Sequence, residues 1–524
     1  MSARRVKTCP REPARRGRPV TFALTVGISV VLATASPATA QNTPPNGVAS
    51  PSRTGQDNRP EVRKVVLENG LRLLLLSRDG APTVSFVMQY AIGGIHEQPG
   101  ETGVAHLLEH MLFKGSETIG TTDIEAERRL FETMDRLHEN ALAASGDPEQ
   151  VQRIRSEIDR LEDEARELVV SNEFDRILSR AGAQGLNATT TSESTTYFVE
   201  LPANRTELFF ALEADRMANP VFREFYSERD VVMEERRMRV DASPAGTLYE
   251  RHLSAAFTEH PYGQPVVGYM ADLERLGRQD VARYYQDYYG PNNAVLAVVG
   301  RFDPVEVEAW ARSYLEPISW GLEPPRVDAK EPAQTAERRV VVEWDAESAL
   351  RIGWHVPDAT HDDAAAIAML SAILTGGRTS RLHRQLVTID QIAASIYSYT
   401  GPGSRFPQLF QIDVTPVQSS STDAIERVVY DEIQRMQTTG PTAEEIERVR
   451  NQIAAGTVRR LQSSLGLAFQ IADSESLFGD WRATFDASDR LQAVTAEDVR
   501  EVARRYLTPE NRTVAVVQRS DTSR

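Results

Sequence analysis

Residues 280–299 read DVARYYQDYYGPNNAVLAVV, and residues 498–517 read DVREVARRYLTPENRTVAVV. Four positions recur at an offset of 218: Asp280 and Asp498, Tyr288 and Tyr506, Pro291 and Pro509, Asn293 and Asn511. Each copy reads as a helix, a Pro turn and then an apolar run rich in Val, the signature of a buried strand. A fixed offset marks an internal repeat. The spacing therefore predicts two copies of one α/β unit.

Strand signals open both halves. Residues 65–77 (VVLENGLRLLLLS) read as a hairpin about Asn69-Gly70, a strong turn dipeptide. Residues 83–90 read as a further strand, and residues 339–343 and 349–355 supply strands to the second half. Helical patterns fill most of the rest, so the fold class is α+β. Residues 316–337 (EPISWGLEPPRVDAKEPAQTAE) are rich in Pro and charge without a period, and read as a linker between domains at 61–315 and 338–524.

One segment lies outside the repeat. Residues 124–143 and 149–170 both carry helical patterns, with Leu130, Met134, Leu137 and Ala141 on the first and Val151, Ile154, Ile158, Leu161, Ala165 and Leu168 on the second. Ser145-Gly146-Asp147-Pro148 is the turn between them. This is an antiparallel helical hairpin inserted at about 125–175. It is either a structural arm or a partner-docking or substrate-gating element.

The chain has 524 residues and a net charge of −16. So acidic a chain lacks the basic footprint of a nucleic-acid binder. Residues 1–40 read as an export signal: Arg4, Arg5, Lys7, Arg11, Arg15, Arg16 and Arg18 precede an apolar run from Val20 to Ala33, and Ala38-Thr39-Ala40 is a small-x-small cleavage site. The run falls short of the about 20 residues that span a bilayer. Cleavage would remove seven basic and one acidic residue, leaving 52 against 74 and a net charge of −22. It would also remove Cys9, the only cysteine, so the mature chain would have no disulfide and no cysteine ligand. Residues 41–60 read as a disordered leader rich in Pro, Gly, Ser and Asn. These features place the mature protein in the periplasm or outside the cell, with no stable membrane insertion.

The chemistry concentrates in residues 103–113, GVAHLLEHMLF. His106 and His110 are four apart and share a helix face, so two imidazoles can chelate one metal ion. Glu109, at the edge of that face, can reach a metal-bound water without being a ligand. A catalytic zinc site takes three protein ligands and keeps a position open. The third must come from elsewhere, and residues 225–237 (FYSERDVVMEERR) are the candidate helix. Glu228 and Glu235, seven apart, fall on one face, whereas Glu234 points elsewhere. They could be a metal ligand and a carboxylate orienting a histidine, or a solvated charged face.

His106–His110 together with Glu228 and Glu235 resembles the inverzincin peptidases of the insulinase/pitrilysin family. Within it the chain is most similar to the group of the mitochondrial processing peptidase and two-domain bacterial relatives. The resemblance continues through Gly93-Gly94, Phe113-Lys114-Gly115, Leu186-Asn187-Ala188-Thr189-Thr190, Tyr197, Ala214-Asp215-Arg216-Met217 and His260-Pro261-Tyr262-Gly263. It implies two duplicated LuxS/MPP-like α/β half-domains. It implies one Zn²⁺ per chain held by His106, His110 and Glu235, with Glu109 as general base and Glu228 supporting the site without binding zinc. It also implies that Asn187, Ala188 and Thr189 lie on an edge strand to which a peptide substrate adds.

Two departures follow. His110 and Glu235 are 125 residues apart, longer than the family usually has, and the helical hairpin accounts for the excess. Aligning the halves puts Ile367, Leu370 and Ser371 where His106, Glu109 and His110 stand, so the second half is an inactive repeat without a metal site. In the family such a half supplies an Arg and a Tyr seven apart, which position the substrate carbonyl and stabilise the oxyanion. Here those positions hold Val387 and Ala394, with Arg384, Tyr397 and Tyr399 out of register. The expectation is a zinc endopeptidase acting on peptides or unfolded segments, as the catalytic subunit of a heterodimer whose sister subunit supplies the Arg/Tyr pair; a homodimer is also compatible. The alternatives are a zinc-binding but non-catalytic assembly subunit of the same fold, and a structural α/β protein without metal.

Overall fold

The computed structural model describes residues 60–418 and 420–519. The export signal, Cys9 and nearly all of the leader lie outside the described residues.

The first half runs β1 (Arg63–Val66), β2 (Arg72–Ser77), β3 (Thr83–Tyr90), α1 (Val104–Met111), α2 (Ile124–Ala143), α3 (Pro148–Arg166), α4 (Glu173–Arg180), β4 (Gln184–Thr190), β5 (Thr195–Pro202), α5 (Thr206–Ala218), α6 (Phe225–Arg236), α7 (Pro244–Ala256), α8 (Met270–Leu273), α9 (Arg278–Tyr288), β6 (Ala294–Gly300) and α10 (Pro304–Tyr314). The second runs β7 (Arg338–Trp344), β8 (Ala349–Val356), α11 (Ala364–Thr375), β9 (Ala393–Gly401), β10 (Gln408–Pro416), α12 (Thr422–Thr439), α13 (Ala443–Gln462), α14 (Ser464–Phe478), α15 (Ala483–Ala493), α16 (Ala496–Tyr506) and β11 (Arg512–Arg519). The fold is α+β.

The two sheets carry the duplication. The first has the order β1-β2-β6-β3-β5-β4 and the second β7-β11-β8-β10-β9. In each, the strand ending the repeated stretch pairs parallel with an early strand of its half: β6 with β2, and β11 with β7. The remaining neighbours are antiparallel in both. Offsetting by 218 carries Ala297, opposite Val87, onto Ala515, opposite Arg351. The first sheet gains an extra strand because β1 and β2 form the hairpin expected at Asn69-Gly70, with Gly70 at φ +85°.

Each half covers one face of its sheet with its own helices and has the other face covered by its neighbour. Leu467, Ala468, Ile471 and Ala472 of α14 pack on Leu74, Val87, Val295, Ala297 and Val299 of the first sheet. In return α7 lies on β7, β8 and β11, with Leu248 against Val342, Ala515 and Val517. This exchange explains why every residue of β6 is buried. Burying Leu467 and Ile471 contributes about 1.5–3 kcal/mol each, so the two halves stabilise one another.

The helical hairpin forms as its periodicity requires. Pro148 sits in the first turn of α3, and the Asp147 side chain accepts from Gln150 N. Only its base is buried: Phe131 and Met134 of α2 and Ile158 and Leu161 of α3 join the first core, and Ala165 is buried beside them in sequence, while Leu142 near the tip is 41% exposed.

Candidate metal centre

The core-facing residues of α1, among them Val104, Leu107, Leu108 and Met111, are fully buried and fix its rotation. Its N-terminus begins at Gly103, at φ +92°, where a Cβ would lie 2.8 Å from Val267 O. Glycine has no side chain to cap a helix, so Glu97 does it: its carboxylate accepts from Gly103 N and Ala105 N, both at 3.0 Å.

With α1 so held, His106 and His110 meet edge to face at 4.9 Å between ring centroids. Glu235 of α6 faces both, with Oε1 3.8 Å from His106 Nε2 and Oε2 3.7 Å from His110 Nε2. One ligand atom from each of the three residues lies within 4.8 Å of the others, and among the described residues this is the one His/Cys/Asp/Glu group that could hold a metal ion. The donor set suits zinc: two imidazoles and a carboxylate. The packing suits a cation too, because His110 Nε2 is buried without a hydrogen-bond partner among the described residues.

Glu228 and Glu235 do share a face, and both reach His110. Glu228 Oε1 is 2.9 Å from Nδ1, on the ring edge opposite Glu235. That contact makes Nδ1 a donor and leaves Nε2 free to ligate. Lys114 Nζ lies 2.6 Å from Glu228 and 3.4 Å from Glu224. Burial opposes ionisation of Glu228, but the His110 hydrogen bond and Lys114 overcome it and hold the carboxyl down at about 2. Burial likewise pulls His110 down, and Glu228, Glu109 and Glu235 outweigh it, so that ring sits above its usual range. His106 has no such carboxylate at Nδ1; burial and the neighbouring His110 hold it well below. Arg239 Nη1 lies 2.6 Å from Glu235 Oε1, a cation beside the negative ligand.

Glu109 sits apart from this ligand group. Its Oε2 accepts from Thr190 Oγ1 at 2.5 Å, and Thr190 in turn lies 3.4 Å from Thr195 Oγ1. Burial pushes the Glu109 carboxyl up against that hydrogen bond. Asn187, Ala188 and Thr189 are on β4, the terminal strand of the first sheet, opposite Phe198, Tyr197 and Thr196 of β5. In the second half, Ile367 and Leu370 are buried in the second core, and Ser371 Oγ meets Ser398 Oγ at 2.7 Å. Val387 packs against that core and Ala394 is exposed on β9.

The sequence did not reveal what steadies α6. Its first residue follows Glu224 at φ +56°, whose side chain caps nothing. The cap comes from the inserted hairpin: Glu162 of α3 accepts from Tyr226 N at 2.9 Å, Ser227 N at 3.2 Å and Ser227 Oγ at 2.7 Å. The hairpin thus holds the end of the helix that carries Glu228 and Glu235. Glu162→Ala leaves those amides unpaired and is expected to cost about 1–3 kcal/mol, read as a lower thermal-unfolding midpoint. A midpoint equal to that of the unaltered chain would show that water replaces the cap.

A helix-borne His-x-x-Glu-His completed by a glutamate from a distant helix, on a duplicated α+β scaffold, defines the inverzincin class of metallopeptidases. The comparisons agree. The profile "Insulinase (Peptidase family M16)" matches residues 72–133 and 167–269, and "Peptidase M16 inactive domain" matches residues 275–453. The chain belongs to the insulinase family, peptidase family M16. The unmatched residues 134–166 are the second half of α2, the turn and all of α3. Zinc protease PqqE of Helicobacter pylori is 25% identical over 430 residues, 80% of this chain and 85% of that protein. The uncharacterized zinc protease YmxG of Bacillus subtilis is 23% identical over 453 residues, 85% and 96% of the two chains. A solved protease from Helicobacter pylori shares the fold at a TM-score of 0.75, with 24% identity, covering 88% of this chain and all of that one. No helix among the described residues is long and apolar enough to cross a membrane.

Proposed function

We propose that the chain is a zinc-dependent endopeptidase in which His106, His110 and Glu235 hold the metal and Glu109 is the general base. The observation that carries this reading is the division of labour around His110: its Nδ1 is held by Glu228 while its buried Nε2 has no hydrogen-bond partner among the described residues and faces Glu235. Zinc in this site supplies a Lewis acid that polarises the scissile carbonyl and acidifies water.

The chain's own residues do the rest. Thr190 fixes one oxygen of Glu109 and so orients the other. Burial raises the affinity of Glu109 for a proton, which suits a base that must take a proton from water and deliver it to the leaving amine. Glu228 keeps the His110 tautomer, and Lys114 balances the charge behind it. The outer edge of β4, with Asn187, Ala188 and Thr189, offers backbone groups to an extended peptide, which suits a site that selects by shape more than by sequence.

A sister subunit completes this reading. Val387 and Ala394 cannot donate to an oxyanion, so an Arg/Tyr pair from a second chain would stabilise it. Residues 61–315 would be the metal-bearing half and residues 338–524 its inactive repeat. Residues 1–40 would direct export to the periplasm or beyond. Relatives named zinc proteases support the chemistry, and the intact Glu109 speaks against a purely structural metal site.

The test is metal content and hydrolysis of a quenched-fluorescent peptide library by the full chain, alone and with candidate sister chains. Zinc near one per chain and turnover abolished by chelation are expected. His110→Ala and Glu235→Gln should each lose zinc, since removing a ligand or its orienting partner costs at least 10–100-fold in affinity. Undiminished zinc in both variants would mean that the metal sits elsewhere. Full turnover by the pure single chain would remove the sister subunit from the account.

A further inference from the structure

Among the described residues the second half has no metal group of its own, yet one buried carboxylate ties it to the strand beside Glu109. β4 ends at Thr190, and residues 191–194 turn the chain into β5. Within the turn Thr191 N donates to Ser194 O at 2.8 Å, and Thr191 Oγ1 accepts from Glu193 N and Ser194 N at 3.1 and 3.0 Å. On one side the turn is held by the segment ahead of α1, where Gly94 N donates to Thr191 O at 3.2 Å and Ile95 N to Ser192 O at 2.9 Å.

On the other side Glu193, only 4% exposed, reaches into the loop between β9 and β10. Its Oε1 accepts from Arg405 N at 2.7 Å and from the Tyr262 hydroxyl; its Oε2 accepts from Ser404 N at 2.9 Å and Ser404 Oγ at 3.1 Å. Four donors converge on one carboxylate. Gly403 has to be glycine here, because a Cβ would run into the Tyr262 hydroxyl and the Glu193 carboxylate. A fully satisfied buried group of this kind is rigid. Glu193 stands three residues from Thr190, the donor to Glu109.

We propose that Glu193 is a positioning residue through which the second half fixes β4 and thereby Glu109. The proposal rests on the assignment of Glu109 as the base. It gives the inactive half a part in catalysis that needs no reactive group. Simple adhesion between the halves has other sources: Glu475 of α14 pairs with Lys64 of β1 at 2.5 Å and accepts from Trp481 N at 3.2 Å.

The experiment compares Glu193→Gln with Glu475→Gln in the full chain, in whichever assembly turns over a quenched-fluorescent peptide. The readouts are zinc content, kcat, KM, unfolding midpoint and amide hydrogen exchange of residues 187–196. Gln at 193 keeps one acceptor oxygen and turns an amide toward the other donors. The expected result is unchanged zinc, KM within about twofold and kcat lower by about tenfold or more, since a misplacement near 1 Å can cost 10²-fold. Exchange at residues 187–190 should rise about tenfold, on the usual footing that tenfold in an equilibrium is 1.4 kcal/mol. Glu475→Gln should lower the midpoint without that signature. Unchanged kcat and exchange in Glu193→Gln, or equal losses in both variants, would overturn the proposal. Tyr262→Phe, which removes a single donor, must show the same signature in smaller degree and serves if Glu193→Gln does not fold. Glu109→Gln is measured alongside: retained turnover there would defeat the assignment of the base, while the exchange data would still decide whether Glu193 clamps β4.

Discussion

Glu109→Gln is expected to keep its zinc and to lose hydrolysis by about 10²–10⁴-fold, the usual contribution of a general base. The expectation follows from geometry. Glu109 is not among the three residues whose ligand atoms converge, so its charge does not hold the metal. Its Oε2 accepts from Thr190, and an amide oxygen can keep that bond. What the amide cannot do is take a proton. The variant should therefore fold, bind zinc and bind peptide, with the loss confined to kcat. Burial has already pushed the native carboxyl up, so neutralising it removes a desolvation cost and should not destabilise the fold. Metal content beside steady-state kinetics separates the outcomes. Turnover within a few fold of the unaltered chain would assign the base to another group, and loss of zinc would make Glu109 a ligand.

Glu127→Ala is expected to have the largest effect on stability, about 3–5 kcal/mol, the cost of leaving a buried charge without its partner. Glu127 is 0% exposed and Arg223 is 1% exposed, so neither can recover water when the other goes. Arg223 donates from Nε and Nη2 to the two oxygens of Glu127 at 3.3 Å, from Nη2 also to the carbonyl of Ser116, and from Nη1 to the carbonyls of Lys114 and Ile119. It thus ties α2, the segment after α1 and the approach to α6 into one knot. A protein of ordinary stability has 5–15 kcal/mol to lose, so the variant should unfold well below the unaltered chain and bind zinc poorly at growth temperature. Glu127→Gln, which keeps an acceptor, should cost less. A midpoint within a degree or two of the unaltered chain would mean that the three carbonyls alone satisfy Arg223.

What the sequence disclosed and what it hid divide along the range of the interactions. The α+β class, the Asn69-Gly70 hairpin and the helical hairpin rest on local periods and turn dipeptides, and the duplicated sheets on a short stretch repeated at an offset of 218. The shared face of Glu228 and Glu235 was legible for the same reason, because helical geometry alone sets it. Periodicity left open whether that face met solvent or a histidine. The groups that hold the site in place were not legible. Glu162 acts on residues more than sixty positions away, Glu127 on Arg223 across 96, and Glu193 on Ser404 across 211. Each looks in sequence like any other solvated glutamate. The exchange of α7 and α14 between halves was hidden likewise, since an apolar stripe says that a helix is covered but not by which sheet.

The hairpin changes standing on this account. In sequence it is an insertion that lengthens the distance from His110 to Glu235. In the fold its base supplies Glu127 and Glu162, so the helix that carries Glu228 and Glu235 is built against the insertion.

Crystals of the full chain grown with zinc and measured at the zinc absorption edge test the central claim most directly. One anomalous peak bounded by Nε2 of His106, Nε2 of His110 and the Glu235 carboxylate, absent from Glu235→Gln crystals, is the predicted result. Intact histidines with no peak between them, or zinc bound only at other residues, would contradict it.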